Sequence, residues 1–462
     1  MNLKVAFVVP ESNLKLNDAC APLNLGYLAS YLRKYYPSVD VKIFDGVAGQ
    51  NVKEKIMFFH PDVIGLTATT PQAPFAYELA NWIRRVFMKK PLLVMGGVHA
   101  SALPEEAVKH VDCVVVGEGE RAIVEIVERF WFNIKIPKII YGDYVENLDD
   151  IPSPAFDLMD MKAYLKQGPP FPNLKHPILS MVTSRGCPFT CPFCRNSGRK
   201  EPVRYFSAQR VVDEIQFFIR EYGVKSVFFN DDEFLVNKKR LHELTYLFDF
   251  YRFNKKIVWG CQARVKSIDA ETLRLIKKMG CVVISPGFES ASPRILNYLK
   301  CGTTTVRDNE QALKLAKQEG IIMGGSFIFG TPSETLAEMK QTFKWFEDNN
   351  DLKFIGINTL IPYPGTEVWN LCMTKGLLPK KIDYTKLVPT GTPKETYIVN
   401  KTVPEKTFNN FVVHIQRIAW ILTQTRLKPS IKAFLNLAQY KTFWWMWLFH
   451  PLKILKIIVT KK

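Results

Sequence analysis

Long uninterrupted apolar segments are missing from this 462-residue sequence. No stretch reaches the roughly 20 apolar residues that a membrane-spanning helix requires, which argues against an integral membrane protein. The chain starts with a segment that reads as a buried strand, KVAFVV, and lacks the basic region and long apolar segment of a secretion signal. These absences predict a cytoplasmic protein.

A disulfide framework is also missing. The nine cysteines are an odd number in a long chain without a secretion signal, and such chains seldom rely on disulfides. Six of the cysteines are scattered, whereas Cys187, Cys191 and Cys194 fall within one short segment. This clustering indicates a metal site.

Acidic residues are scarce in the last part of the chain. The formal charge is +18, and from residue 401 onward eleven basic residues accompany one acidic residue, Glu405. Two apolar stretches rich in Trp and Phe, 411–422 and 442–459, with basic residues around them, suit a helix on a membrane surface. Because Pro451 and two lysines interrupt the apolar run, we do not expect it to span. A helical cap packed on the preceding domain is an equal alternative, and an apolar tail argues against nucleic acid.

Strand and helix patterns alternate through residues 1–135. Five apolar segments are each followed by an amphipathic one, a pattern typical of a parallel sheet covered on both faces. We therefore predict an α/β fold that begins with a doubly wound, flavodoxin-like domain and binds ligands at the carboxyl ends of its strands. Residues 136–175 are rich in Pro and Asp and are predicted to form a linker.

A second alternating series occupies residues 176–384. It contains six strand–helix units, two short of the eight that close a barrel, so the pattern predicts a partial (β/α)6 barrel with its chemistry at the carboxyl ends of the strands. Beyond this series, residues 385–462 read as a helical, basic and aromatic region.

The most specific motif is C-x3-C-x2-C at Cys187, Cys191 and Cys194, directly after the first strand of the second series. Three thiolates on a short loop can hold three irons of a cubane cluster and leave the fourth iron open. A structural zinc site usually needs four ligands in two separated pairs, and no second pair is visible. A [4Fe–4S] cluster is therefore favoured over zinc and over unligated buried cysteines.

The loop, RGCPFTCPFC, resembles the hallmark of the radical S-adenosylmethionine (SAM) superfamily, with Phe193 as the aromatic residue before the last cysteine. The resemblance extends through the second domain. It implies that the three cysteines carry the catalytic cluster, that its open iron binds SAM, and that Phe193 lies beside the adenine. It also implies reductive cleavage of SAM to a 5′-deoxyadenosyl radical, with an electron from a flavodoxin- or ferredoxin-type donor.

Charged residues and glycines end successive strands of the second domain, where the family places its SAM contacts. Acids there could hold the ribose hydroxyls or the amino group, and an arginine suits a carboxylate bidentately. Acids at strand ends also commonly cap the next helix, so each residue has a purely structural alternative. The candidate SAM contacts are Asp231, Asp232, Glu233, Arg264, Glu289 and Gly330.

The front domain resembles the cobalamin-binding domains that precede many radical SAM enzymes. Small residues at strand ends suit a cofactor tail that passes along the sheet edge. The Asp-x-His-x-x-Gly motif that supplies a histidine to cobalt is absent, and we interpret His99 as a surface or helix-start histidine rather than a cobalt ligand. The candidate cobalamin contacts are Thr67, Thr69, Gly96, Gly97, Gly117, Glu118 and Gly119.

Taken with the resemblance, the sequence predicts a cobalamin-dependent radical SAM enzyme that methylates an unactivated carbon of a small molecule. A lipid or isoprenoid substrate, and contact with the inner membrane face, are hypotheses that depend on the tail alone. Two alternatives stay open: a non-methylating radical enzyme that forms rings or rearranges its substrate, and a non-catalytic module that carries a cluster or cobalamin.

Overall fold

The computed structural model describes residues 3–14, 16, 19–167, 171–198, 202–388 and 395–427. Of the two stretches on which the membrane hypothesis depends, 442–459 lies outside the described residues, whereas 411–422 lies within them.

The front of the chain folds into a six-stranded sheet in the order β2-β1-β3-β4-β5-β6, and every described strand pair in it is parallel. This order confirms the predicted flavodoxin-like, doubly wound sheet. The strands are β1 Lys4–Val9, β2 Asp40–Asp45, β3 Val63–Thr67, β4 Leu92–Gly96, β5 Cys113–Gly117 and β6 Ile139–Gly142. The helices are α1 Leu23–Tyr35, α2 Val52–Phe59, α3 Ala73–Val86, α4 Val98–Ala102, α5 Pro104–Ala107 and α6 Glu120–Trp131.

Two parts of the predicted linker have regular structure. Strand β6 joins the edge of the front sheet beside β5, and helix α7, Met161–Gln167, follows it. The rest of the described linker contains short turns of 3-10 helix, in agreement with its Pro- and Asp-rich composition.

The second domain is a six-stranded parallel sheet in the order β14-β13-β12-β11-β10-β7, which confirms the predicted partial barrel. A separate antiparallel ribbon, β8 Ser184–Arg185 with β9 Arg204–Tyr205, flanks the cysteine segment. The sheet strands are β7 Ile178–Met181, β10 Ser226–Phe229, β11 Val258–Ala263, β12 Cys281–Glu289, β13 Ile322–Phe329 and β14 Leu352–Thr359. The helices are α8 Ala208–Tyr222, α9 Lys238–Phe250, α10 Phe253–Lys256, α11 Ala270–Lys278, α12 Pro293–Lys300, α13 Val306–Glu319, α14 Leu336–Asp348 and α15 Glu367–Thr374.

Polar caps fix where the barrel helices begin. Ser207, Asn237, Asp269 and Ser292 each accept a hydrogen bond from the backbone N–H three residues ahead, so each loop between strand and helix ends at a defined residue. Because these loops carry the candidate site residues, the caps also help to position them.

Helix α16, Glu405–Leu427, packs along the edge strand β14. Its apolar face, which includes Phe408, Val412 and Ile415, is buried in the barrel core. Arg426 donates hydrogen bonds to the carbonyl oxygens of Leu352, at 3.1 Å, and of Glu347, at 2.8 Å. For residues 405–427 the structure thus agrees with a helical cap. None of the described helices combines the length and apolar character needed to cross a membrane.

Candidate active site

The three cysteines lie on one loop that follows the ribbon strand β8. Gly186, which precedes Cys187, has a φ of +95°, a conformation that favours glycine. The backbone N–H of Cys194 donates to the carbonyl oxygen of Cys191 at 3.0 Å, which closes a tight turn between the second and third cysteines. The motif thus folds into a compact loop.

The thiols of this loop are only partly buried: Cys191 is buried, whereas Cys187 and Cys194 keep intermediate exposure. Burial raises the pKa of Cys187 to about 11 and also raises the pKa of Cys194. Among the described residues, no three His, Cys, Asp or Glu side chains are arranged to hold a single metal ion. A cubane cluster differs from a single ion because each thiolate binds a different iron atom.

Arg264 lies against the cysteine loop. Its Nη1 donates to Cys191 Sγ at 3.1 Å, and its guanidinium stacks 4.0 Å from the centre of the Phe189 ring. Its Nη2 donates to the carbonyl oxygen of Lys300 at 3.2 Å and to the hydroxyl of Thr303. We predicted that this arginine binds a carboxylate. In the structure, its described side-chain hydrogen bonds go to the cysteine loop, to the last residue of α12 and to the loop that follows α12.

Two of the three candidate acids after β10 accept hydrogen bonds from other residues of the chain. Asp231 is buried and accepts hydrogen bonds from the backbone N–H of Thr183, at 3.0 Å, and from the hydroxyls of Thr183 and Ser184. Glu233 accepts from the backbone N–H of Arg264 at 2.7 Å, and burial raises its pKa to about 7. Asp232 is exposed and lies close enough to influence the pKa of Cys187 and Cys194.

The end of β12 carries a buried ion pair that sequence reasoning missed in part. Glu289, a candidate SAM contact, has a φ of +60° and accepts from Lys300 Nζ at 2.6 Å. Both side chains are 7% exposed, and Lys300 also influences the pKa of Cys194. Lys300 was not predicted because it lies on helix α12 and not at a strand end; its place two turns beyond the Ser292 cap was the available signal.

The remaining SAM candidates pack into apolar surroundings. Phe193 contacts the cluster of apolar side chains that includes Ile328 and Trp369. Gly330 has a φ of +92°, and a Cβ atom there would lie 2.7 Å from the Phe408 ring of helix α16. Helix α16 therefore supports the end of β13 directly.

A cavity of about 640 Å³ opens at the carboxyl edge of the front sheet. Its deep part is apolar, with Phe7, Val94 and Ile126 among its walls, and its mouth carries hydroxyl and glycine residues. Tyr164 of helix α7, which donates to buried Asp45 at 2.5 Å, also lines it. All seven candidate cobalamin contacts line this cavity: Thr67, Thr69, Gly96, Gly97, Gly117, Glu118 and Gly119.

Close packing explains some of the small residues in the cavity wall. A Cβ atom on Gly97, whose φ is +91°, would lie 2.7 Å from Thr67 Oγ1, the atom that accepts a hydrogen bond from Asn24 at 3.1 Å. A Cβ on Gly119 would lie 2.9 Å from Leu28. The wall thus keeps its shape only with glycine at these positions.

The Glu118 carboxylate faces the barrel. Arg185 Nη1 lies 3.1 Å from Glu118 Oε2, and Arg204 forms a second ion pair with the same carboxylate. These pairs outweigh burial and lower the pKa of Glu118. Neighbouring Glu120 accepts from Arg185 at 2.7 Å. The front domain is thereby joined to the segment that leads into the cysteine loop.

His99 is fully buried beside the front sheet. Its Nε2 lies 2.8 Å from the hydroxyl of Tyr77, and burial lowers its pKa to about 4. It is not among the residues that line the cavity. His99 lies at the start of α4, in agreement with the helix-start interpretation, whereas the surface alternative is wrong because the side chain is buried.

Two sequence profiles match the two halves of this arrangement. The Radical SAM superfamily profile matches residues 181–346, which include the cysteine loop, and the B12 binding domain profile matches residues 13–127, which surround the cavity. The fold and the site therefore define a radical SAM enzyme with a B12-binding domain in front.

Relatives agree with this class. The chain is 34% identical over 404 residues to an uncharacterized methyltransferase of Pyrococcus horikoshii, covering 81% of this chain and 84% of that protein. The chain therefore belongs to the branch of the radical SAM superfamily that carries an N-terminal B12-binding domain. The prediction of a cobalamin-dependent radical SAM enzyme of the methyltransferase family is confirmed at this level.

Two solved structures share the fold. The radical S-adenosylmethionine methyltransferase TsrM from Kitasatospora setae, with cobalamin and a [4Fe–4S] cluster bound, matches with a TM-score of 0.67 at 18% identity, covering 82% of this chain and 80% of that one. The cobalamin-dependent S-adenosylmethionine radical enzyme OxsB, with aqua-cobalamin bound, matches with a TM-score of 0.71 at 17% identity, covering 98% and 76%. The predicted cofactors are those of the family, whereas the residues that hold them stay predictions.

Proposed function

We propose that this chain transfers a methyl group to an unactivated carbon of a small molecule, using cobalamin and SAM. The observation that carries the proposal is the shared wall between the two sites: Arg185 lines the front cavity and stands two residues before Cys187. A ligand in the cavity would thus lie next to the loop that holds the cluster, as a reaction between two cofactors requires.

Cys187, Cys191 and Cys194 would hold the cluster, and Arg264 would donate to the Cys191 thiolate, a charge-assisted hydrogen bond that stabilises its negative charge. When bound, the cluster supplies the electron that cleaves SAM, and cobalamin carries the methyl group.

The charges nearest the cysteine loop suit the amino acid portion of SAM. Asp232 is exposed beside the loop and would accept from the SAM amino group, whereas Lys300 is already paired with the buried Glu289 carboxylate. The other SAM candidates, Phe193 and Gly330, would contact the adenosine portion. Asp231 and Glu233 would act indirectly, by shaping the turn that presents Asp232.

The cavity would take cobalamin with its nucleotide tail in the deep apolar part. Thr67 and Thr69 would offer hydroxyl groups to the cofactor, and Gly97 and Gly119, against which Thr67 and Leu28 pack closely, hold the wall in shape. Histidine is absent from the described residues that line the cavity.

The test uses protein purified without oxygen and reconstituted with iron, sulfide and hydroxocobalamin. The protein is then reduced in the presence of methyl-deuterated SAM. Mass spectrometry should detect 5′-deoxyadenosine and cobalamin that carries a deuterated methyl group. Both products should fall to background in Cys191→Ala. If 5′-deoxyadenosine forms but no label reaches cobalamin, radical chemistry without methyl transfer replaces this proposal. If neither product forms, the chain is better described as a cofactor carrier.

A lipid substrate and membrane contact need a separate test, because the apolar face of α16 is already covered by the barrel. Cosedimentation of the full chain with phosphatidylglycerol vesicles, but not with phosphatidylcholine vesicles, would support contact through the basic tail. Absence of binding to either would remove the support for a lipid substrate.

For the electron donor, reduced flavodoxin and reduced ferredoxin should each replace chemical reductant in the 5′-deoxyadenosine assay.

A further inference from the structure

Arg185 is a barrel residue whose described side-chain contacts lie in the front domain. Its Nη2 donates to Glu120 Oε1 at 2.7 Å, and its Nη1 lies 3.1 Å from Glu118 Oε2. Its guanidinium also lies 5.3 Å from the centre of the Tyr27 ring. One side chain of the barrel is thus held by three side chains from two helices and a loop of the other domain.

The same residues form part of the cavity wall. Tyr27, Glu118, Glu120 and Arg185 all line the cavity. The side chains of Arg185, Glu118 and Glu120 are only 17%, 12% and 4% exposed, so the ion pairs are shielded from water and salt. A ligand that fills the cavity would therefore contact these charged side chains, which the ion pairs hold in place.

The other end of Arg185 leads into the cysteine loop. Gly186 is the single residue between it and Cys187. Arg185 also pairs across the ribbon with Arg204, which binds the same Glu118 carboxylate and the carbonyl oxygen of Val145. The start of the cysteine loop is consequently fixed by contacts that belong to the cavity wall.

We propose that Arg185 is a positioning residue that couples cobalamin binding in the cavity to the cluster-bearing conformation of the cysteine loop. The coupling acts through Glu118, Glu120 and Tyr27, which orient the guanidinium, and through Gly186, which transmits its position to Cys187. The inference rests on the proposed function for the identity of the two ligands. Because coupling between sites is reciprocal, cluster loading tightens cobalamin binding by the factor by which cobalamin favours the loaded loop.

The measurement is a ratio of dissociation constants. Hydroxocobalamin is titrated, by its absorption spectrum, into anaerobic full-length protein that is either cluster-loaded or freed of iron by chelation. We expect cobalamin to bind roughly 5- to 150-fold more tightly to the loaded protein, the range of ordinary allosteric coupling. In Arg185→Met the ratio should fall to about one while bound iron stays at its wild-type level; in Arg185→Lys, which keeps the charge but not the two-pronged geometry, it should be intermediate.

Arg84→Met is the matched control. Arg84 forms an ion pair of similar length but greater exposure, 2.8 Å from Asp112, within the front domain and away from the cavity lining, so its loss should leave the ratio unchanged. If Arg185→Met does not fold, Glu120→Gln keeps the shape and removes one charge, and the ratio should fall there too. A wild-type ratio in every folded variant, or a ratio of one in the wild type, overturns the coupling. Failure of the wild type to bind cobalamin and cluster would instead contradict the proposed function.

Discussion

Two parallel sheets in this molecule end in different ways. In the front sheet, β3, β4 and β5 end in threonine and glycine residues that line a cavity of about 640 Å³. In the barrel, Asp231 follows β10 and Glu289 ends β12, and both carboxylates are buried in bonds to neighbouring residues. From the sequence, the strand-end residues of both sheets were predicted to contact ligands.

The difference teaches what each residue type indicates at the end of a strand. A glycine or threonine leaves space that only a ligand or the packing of the turn can use, whereas a carboxylate accepts several hydrogen bonds and so stabilises the turn itself. A carboxylate at a strand end therefore needs an exposed side chain, as in Asp232, before it is assigned to a ligand.

The largest effect is expected for Gly330→Ala. Gly330 lies at the barrel edge, and the ring of Phe408 packs against it. A Cβ there meets Phe408 at 2.7 Å, and the φ of +92° is unfavourable for alanine. We expect the free energy of unfolding to fall by about 3 kcal/mol, from strain and overpacking together. Urea denaturation measures it; a loss below 1 kcal/mol would show that α16 moves aside readily.

Neighbouring acids offer the second test. Asp231→Asn leaves one oxygen and an amide facing the donors on Thr183 and Ser184, and a buried unsatisfied donor should lower the free energy of unfolding by about 2 kcal/mol. Asp232→Asn, one residue away and exposed, should change stability by less than about 0.5 kcal/mol but weaken SAM binding. Urea denaturation and SAM titration separate the two; equal effects on SAM binding with unchanged stability would contradict the division of roles.

The sequence predicts the order of the strands better than the use of their ends. All six barrel strands were predicted because buried strands read as continuous apolar runs, whereas β6, in which only Ile140 is buried, was assigned to the linker. The role of Asp231 depends on Thr183, 48 residues earlier, and no local pattern reveals that contact. The cavity residues were predictable because glycine and threonine at strand ends indicate space locally.

In the front sheet, adjacent glycines should respond differently to the same change. Gly97→Ala places a Cβ 2.7 Å from Thr67 Oγ1 at a φ of +91°, so it should distort the cavity wall and weaken hydroxocobalamin binding about tenfold, or about 1.4 kcal/mol. Gly96→Ala meets its nearest neighbour, Val115, at 3.9 Å and serves as the control. Equal affinities in a spectral titration would mean that this wall does not contact the cofactor.

A buried acid at the barrel edge should make the stability of the chain depend on pH. Glu334 accepts from the backbone N–H of Gly330 at 2.6 Å, yet burial raises its pKa from 4.5 to about 7. Between these values the folded chain keeps a proton that the unfolded chain has released, so the free energy of unfolding falls as pH rises from 4.5 to 7, by at most about 1.4 kcal/mol per pH unit.

Glu334→Gln cannot titrate and should flatten this slope, although not to zero, because Glu233 has a pKa raised to about 7 as well and contributes with the same sign. Glu338→Gln is the control on the same segment: its ion pair with Arg294 lowers the pKa of Glu338 to about 2, so its contribution is lost only as pH falls below 4.5. Urea denaturation at pH 5, 6 and 7 distinguishes them. A wild-type slope in Glu334→Gln would mean that the Glu334 carboxyl ionises with an ordinary pKa. Buried carboxylates that stabilise strand ends of the barrel would then be limited to Asp231 and Glu289.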